Sequence, residues 1–169
     1  MLLRHPTLRA QSQWRMQVRR GVEMRSFAEA IAPVPLTTNS QLRQHSYVAR
    51  GFYAGQVRRL LAHFPRENLL FLRTDALWLR PAPVLGQICK FLGAAPPTAT
   101  MMDRAEVYTT PTFARDLGEI PRPLRQDLDR QFATDIRDTA VLTGLDLSDW
   151  LDPAYAEPMG PKGKAGGQV

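Results

Sequence analysis

Only two stretches of this 169-residue chain read as β-strand, and they stand far apart in sequence. Met1-Leu2-Leu3-Arg4 has the apolar character of a buried strand end. Asn68-Leu69-Leu70-Phe71-Leu72-Arg73 is a short apolar run bounded by turn residues, as a buried parallel strand would be. Everything else with periodicity is helical. The order strand–helix–helix–strand–helix–helix predicts an α/β domain with a parallel sheet. Two strands cannot bury both faces of such a sheet, so further strands are expected from outside these residues.

The helices are marked by their ends. Pro6 suits a first helical turn, where its missing N–H costs nothing, and opens a helix over 7–20 with Leu8, Trp14 and Val18 as apolar contacts. Ser26 and Glu29 have capping-box spacing for a short helix over 26–32. A polar, proline-containing loop spans 33–45. Val48, Phe52, Tyr53, Val57, Leu60, Leu61 and Phe64 then recur at the spacing of one buried helical face, which Pro65 ends. A short turn after the second strand leads to a helix from 81 or 82 to 92, stopped by Gly93. Residues 94–120 read as irregular. The last helix, 123–143, carries Leu124, Leu128, Phe132 and Ile136 four apart and stops at Gly144. Asp127, Asp129, Asp135 and Asp138 read as its solvated face. Leu145, Leu147, Trp150 and Leu151 fold back onto the body, which gives a domain over 1–152. Residues 153–169 form a flexible Gly/Pro/Lys tail.

Composition narrows the function classes. Cys89 is the single cysteine, so a disulfide scaffold or a multi-cysteine metal site is excluded, and the thiol reads as buried and inert. His5, His45 and His63 are too scattered for a metal set and read as surface or capping residues, so no metal is expected. No apolar run approaches a membrane span and no signal peptide opens the sequence, which makes the cytoplasm the default location. The net charge of +6 is concentrated: residues 1–25 hold Arg4, Arg9, Arg15, Arg19, Arg20 and Arg25 against Glu23 alone. Arginine is the better planar, bidentate partner for phosphate-like anions, so the N-terminal end is a candidate anion site.

Arg4-His5-Pro6, then Arg9-Ala10, Ser12 and Trp14, resembles the 3′-phosphate-binding element of the PAPS-dependent sulfotransferases, in particular the bacterial, heparan-sulfate-sulfotransferase-like branch. (PAPS is 3′-phosphoadenosine 5′-phosphosulfate.) There a strand ends in arginine, a proline turn follows, and a serine stands eight positions on, as Ser12 stands to Arg4. Further segments are similar to that family in the same order: Ser26-Phe27-Ala28-Glu29-Ala30, Arg50 to Tyr53 with Leu60 to Pro65, Asn68 to Leu77, Pro81 to Gly93, and Leu142 to Trp150. The resemblance covers about residues 1–152.

That resemblance implies a P-loop-like three-layer α/β/α fold, N-terminally incomplete and mostly helical in what remains. The family's 5′-phosphosulfate loop has no counterpart, since no lysine occurs before Lys90. Its late cofactor-covering loop is not recognisable in 100–118, where Arg104 and Arg115 are loose candidates, and the catalytic residue is not identified. The implied activity is transfer of a sulfuryl group from PAPS to a hydroxyl or amine acceptor, leaving PAP (adenosine 3′,5′-bisphosphate). Arg4 and Ser12 would hold the 3′-phosphate, while Arg9 reads as a local brace. Tyr53 lies on an apolar face, which leaves core packing and cleft lining both open. As a truncated chain it is expected to be inactive or weak. The competing readings are an arginine-rich, non-catalytic module binding nucleic acid or an acidic partner through residues 4–25, and a dead paralogue pairing with another subunit through an open sheet edge.

Overall fold

The structure, a computed structural model, describes residues 1–32, 38, 45–98 and 119–158. Most of the 33–45 loop, Met101-Met102, Arg104, Arg115 and the end of the tail lie outside the described residues. β1 (Leu2–Leu3) leads into α1 (Pro6–Arg19) and α2 (Phe27–Ile31). A 3₁₀ turn, Ala49–Gly51, precedes α3 (Ala54–His63). β2 (Leu72–Arg73) is followed by α4 (Thr74–Leu79), α5 (Pro81–Phe91), α6 (Arg122–Thr143) and a closing 3₁₀ turn, Ser148–Leu151. β1 and β2 pair in parallel, Leu2 opposite Leu72 and Leu3 opposite Arg73. The described fold is thus mostly helical with a small parallel sheet, consistent with part of an α/β domain. Leu3 is fully buried while Leu2 is 53% exposed, so β1 has only one covered face.

The local signals act as their chemistry requires. Pro6 occupies the first turn of α1. At α2 the Ser26 hydroxyl accepts from the Glu29 amide and the Glu29 carboxylate accepts from the Ser26 amide, completing the capping box. α6 ends where Gly144 turns to φ 74°, a backbone conformation that a side chain would strain.

α6 is the centre of the packing. Leu128, Phe132 and Ile136, one turn apart, are buried with Leu3, Ala10, Trp14, Tyr53, Leu147 and Trp150. The helix lies against both α1 and α3. Gly51 lets it approach: a Cβ there would stand 2.7 Å from Cε1 and 2.8 Å from Cζ of Phe132.

Four sequence expectations are corrected here. The helical face expected from Val48 is broken, and α3 starts only at Ala54. Asp135 of α6 provides the reason, its carboxylate accepting from the Tyr53 amide at 2.6 Å and the Ala54 amide at 3.1 Å. It caps the helix from another element and satisfies donors that the helix itself leaves open. Asp129 is likewise not a solvated side chain: it accepts from the Thr7 hydroxyl and from Arg125 Nε, both at 2.6 Å. Asp127 and Asp138 do form exposed pairs, with Arg130 and Arg58. The turn expected after the second strand is helical, α4. Cys89 is half-buried, not enclosed, because α5 lies at the margin of the described body.

Packing at the glycine notch leads to a contrast. Gly51→Ala is expected to destabilise by about 1–3 kcal/mol through overpacking against Phe132. Gly55→Ala, at a position with nothing within 4 Å of the new Cβ, should be neutral or stabilising by up to about 1 kcal/mol. Urea unfolding of both variants checks this, and equal stabilities would remove the notch as a constraint.

Candidate functional site

Arg4 leaves the end of β1 at a point fixed from three sides. Its carbonyl accepts from the Tyr53 hydroxyl at 2.9 Å, the preceding Leu3 carbonyl accepts from Thr74 at 3.0 Å, and Pro6 starts α1 two residues later. The guanidinium lies over the Trp78 ring, 5.4 Å from its centroid. It also grips the carboxylate of Glu157, Nε at 2.8 and 2.9 Å from the two oxygens and Nη2 at 2.5 Å from Oε2. Arg4 thus presents the planar fork that recognises carboxylate or phosphate bidentately.

Ser12 stands two turns along α1, half-buried, and its hydroxyl has no partner among the described residues. No hydrogen bond joins it to Arg4. Helix spacing places it between Arg9 and Arg15, three residues from each and so on the same face. Both flanking guanidiniums sense Arg4. Burial lowers their pKa first, and repulsion from Arg4 lowers each further, together with Arg50 for Arg9 and Arg19 for Arg15. Arg9 itself braces the fold, donating to Gln13 Oε1 at 2.9 Å and to the Tyr47 carbonyl. An open groove of about 530 Å³, lined by Arg50, Phe52, Gln56 and Arg59 among others, includes neither Arg4 nor Ser12. Among the described residues no group of three His, Cys, Asp or Glu side chains is placed to hold a metal ion. No helix among them is long and apolar enough to cross a membrane.

Of the two open readings of Tyr53, core packing describes its ring, which is only 4% exposed; its hydroxyl holds the strand end that carries Arg4. Burial pushes that phenol up to about 12, so it stays a neutral donor.

His5, expected at the surface or as a cap, stands at the N-cap position of α1, but its side chain makes no capping hydrogen bond. It is 1% exposed, places Nε2 3.2 Å from the Trp150 carbonyl, and stacks on Tyr155 with centroids 4.9 Å apart. Burial, with Arg125 nearby, pushes its pKa down to about 4 against the opposing pull of Asp129. The packed body also extends beyond residue 152, the expected end of the domain. Tyr155 donates to Asp75 at 3.0 Å and Glu157 reaches Arg4. Asp75 is itself bound by Arg73, whose guanidinium also grips Asp149 and lies over Trp150. Trp78, Tyr155 and Glu157 were not legible as site neighbours, because their places are set by contacts between distant segments. The one available signal was an aromatic and an acid just after the Trp150 segment.

No protein-family model matches the sequence, and no curated protein matches it. Among solved structures, the fold is similar to the crystal structure of a sulfotransferase from Alicyclobacillus acidocaldarius, with a TM-score of 0.67 and 30% sequence identity. The match covers 88% of this chain and 55% of that one. The chain therefore spans about half the length of the sulfotransferase it resembles, and its fold is sulfotransferase-like.

The buried imidazole sets a pH dependence. Folded His5 is neutral down to about 4, whereas the unfolded imidazole takes a proton near 6.5. The unfolded state thus binds more protons in between, so stability is full above about pH 6.5 and falls as pH is lowered towards about 4. Urea unfolding should show a loss of about 2 kcal/mol between about pH 7.5 and about pH 5. His5→Gln should flatten that slope, and an unchanged slope in the variant would assign the loss to other groups.

Proposed function

We propose that this chain forms the 3′-phosphate-recognising part of a PAPS-dependent sulfotransferase domain. The observation that carries the reading is the position of Arg4. A guanidinium fork stands at the end of a parallel strand, already engaged with a carboxylate, in a fold similar to that of a sulfotransferase. The free hydroxyl of Ser12, on the stripe between Arg9 and Arg15, supplies the second donor. Together they would hold the 3′-phosphate through charge-assisted hydrogen bonds, each worth roughly 1.5–3 kcal/mol. That phosphate distinguishes PAPS and PAP from ordinary adenine nucleotides.

The reaction transfers a sulfuryl group in line. The bond between sulfur and the bridging oxygen of the 5′-phosphate breaks, and a bond from sulfur to the acceptor oxygen or nitrogen forms. PAP leaves with the bridging electron pair, and the acceptor's proton passes to a base. Catalysis of such a transfer is chiefly positioning and electrostatic stabilisation. Arg4 and Ser12 contribute the positioning at the nucleotide end. Both lie at the nucleotide end, so stabilisation of the sulfuryl end falls to groups other than these two residues.

Binding tests the reading. A thermal-shift titration should show PAP, but not AMP, raising the melting temperature, and the shift should persist at moderate salt, unlike simple polyanion binding. Arg4→Ala should remove the preference for PAP, a loss of about 10–100-fold, and Ser12→Ala should weaken it by about 5–10-fold. Retained preference in Arg4→Ala would overturn the assignment.

Turnover provides a separate test. These 169 residues by themselves should bind PAP yet transfer no sulfuryl group from labelled PAPS to a hydroxyl or amine acceptor. Detectable PAPS-dependent transfer would place the sulfuryl-stabilising groups within this chain.

A further inference from the structure

The ion pair between Arg4 and Glu157 joins residues 153 positions apart, so it exists only because the segment after the last 3₁₀ turn is carried back to the end of β1. The carrier is Tyr155. Its ring stacks on buried His5, its hydroxyl donates to Asp75, and its carbonyl accepts from Arg125 Nη2 at 3.3 Å. Its amide closes a turn onto the Asp152 carbonyl at 2.9 Å. From that anchor Glu157 extends two residues further and places both carboxylate oxygens on the guanidinium fork. The carboxylate is the more covered partner, with 11% of its side chain exposed against 27% for Arg4.

We infer that Glu157 is an internal competitor for the anion position of Arg4, a gate that a ligand phosphate must displace; this rests on the reading of Arg4 as a 3′-phosphate site. One guanidinium edge cannot serve two bidentate anions at once. A tethered carboxylate acts at an effective concentration in the millimolar range or above, so it raises the apparent dissociation constant of any ligand that needs the same edge. The competition is unequal in charge. A carboxylate carries one negative charge, whereas a phosphate monoester near neutral pH carries about 1.5–2. A 3′-phosphate therefore displaces Glu157, while singly charged anions do so poorly. The gate thus acts on specificity as well as affinity. Tyr155 remains docked when Glu157 swings away, because none of its described contacts involves Arg4.

The test is isothermal titration of the full 169-residue chain with PAP and with AMP, in the parent and in the Glu157→Gln and Glu157→Lys variants. Removing the competitor should tighten PAP by about 5–20-fold, with Lys, which repels Arg4, at least as effective as Gln. AMP should change by less than about twofold, since it lacks the group that needs the edge. Arg4→Ala is titrated beside them. If PAP affinity is the same in all the Glu157 forms while Arg4→Ala still loses the preference for PAP, the gate is refuted and the phosphate site stands. Equal tightening of both nucleotides would refute the gate in the same way. If PAP and AMP bind alike in every variant, including Glu157→Gln, the phosphate site is refuted and the gate with it.

Discussion

The packing of α6 onto the 3₁₀ turn at Gly51 is the constraint on which the other elements depend. Phe132 fits against a residue with no side chain, and one turn later Asp135 takes the amides of Tyr53 and Ala54. The close approach and the cap enforce each other: without Gly51 the helix could not come near enough for Asp135 to reach the start of α3. Tyr53 is fixed by the same contact, and its hydroxyl then holds the carbonyl of Arg4. A path of short, partly buried hydrogen bonds therefore runs from the middle of α6 to Arg4. A sheet of only two strands would not by itself hold a strand end so firmly.

The arginines divide according to whether their charge is answered inside the fold. Arg73 is fully committed: burial opposes its charge, but hydrogen bonds to Asp75 and Asp149 more than offset this, and its pKa is raised. Arg9 is committed to the Tyr47 carbonyl and Gln13. Arg4 differs because its partner arrives on the last described segment, from a residue anchored by other contacts. An arginine paired within its own supersecondary unit is a strut. One paired with a carboxylate from a distant segment, as Arg4 is with Glu157, is the kind that the proposed exchange with a ligand requires.

Elements with local causes were legible in the sequence. Pro6, the Ser26–Glu29 box and Gly144 act within one or two turns, and the Leu128–Phe132–Ile136 face announces itself by spacing. Arg4 and Ser12 were singled out for a different reason, a motif whose spacing resembles that of a family, and their role is a proposal on that ground. The misread features are those decided between elements. Asp129 and Asp135 have the same neighbours along the helix as solvated aspartates do, and only the positions of Thr7 and Tyr53 reveal their work. His5 looked like a surface histidine because polarity was all that the sequence displayed. Its burial comes from Trp150 and Tyr155, which pack on it from the far end of the chain.

Nucleotide recognition and sulfuryl chemistry have different structural requirements. Recognition of a 3′-phosphate needs one fixed guanidinium, a hydroxyl on the following helix and control of competing anions. In the proposed reading β1, α1 and Tyr53 would supply the first two, and the segment carrying Glu157 the third. None of these depends on a wide sheet, because the strand end is held by side chains from Tyr53, just ahead of α3, and from α4 as well as by its ladder. Sulfuryl transfer needs positive groups at the opposite end of the nucleotide. The strand end that carries Arg4 is thus braced from α6 through Asp135 and Tyr53, across the helical layer, as well as by the pairing of β1 with β2.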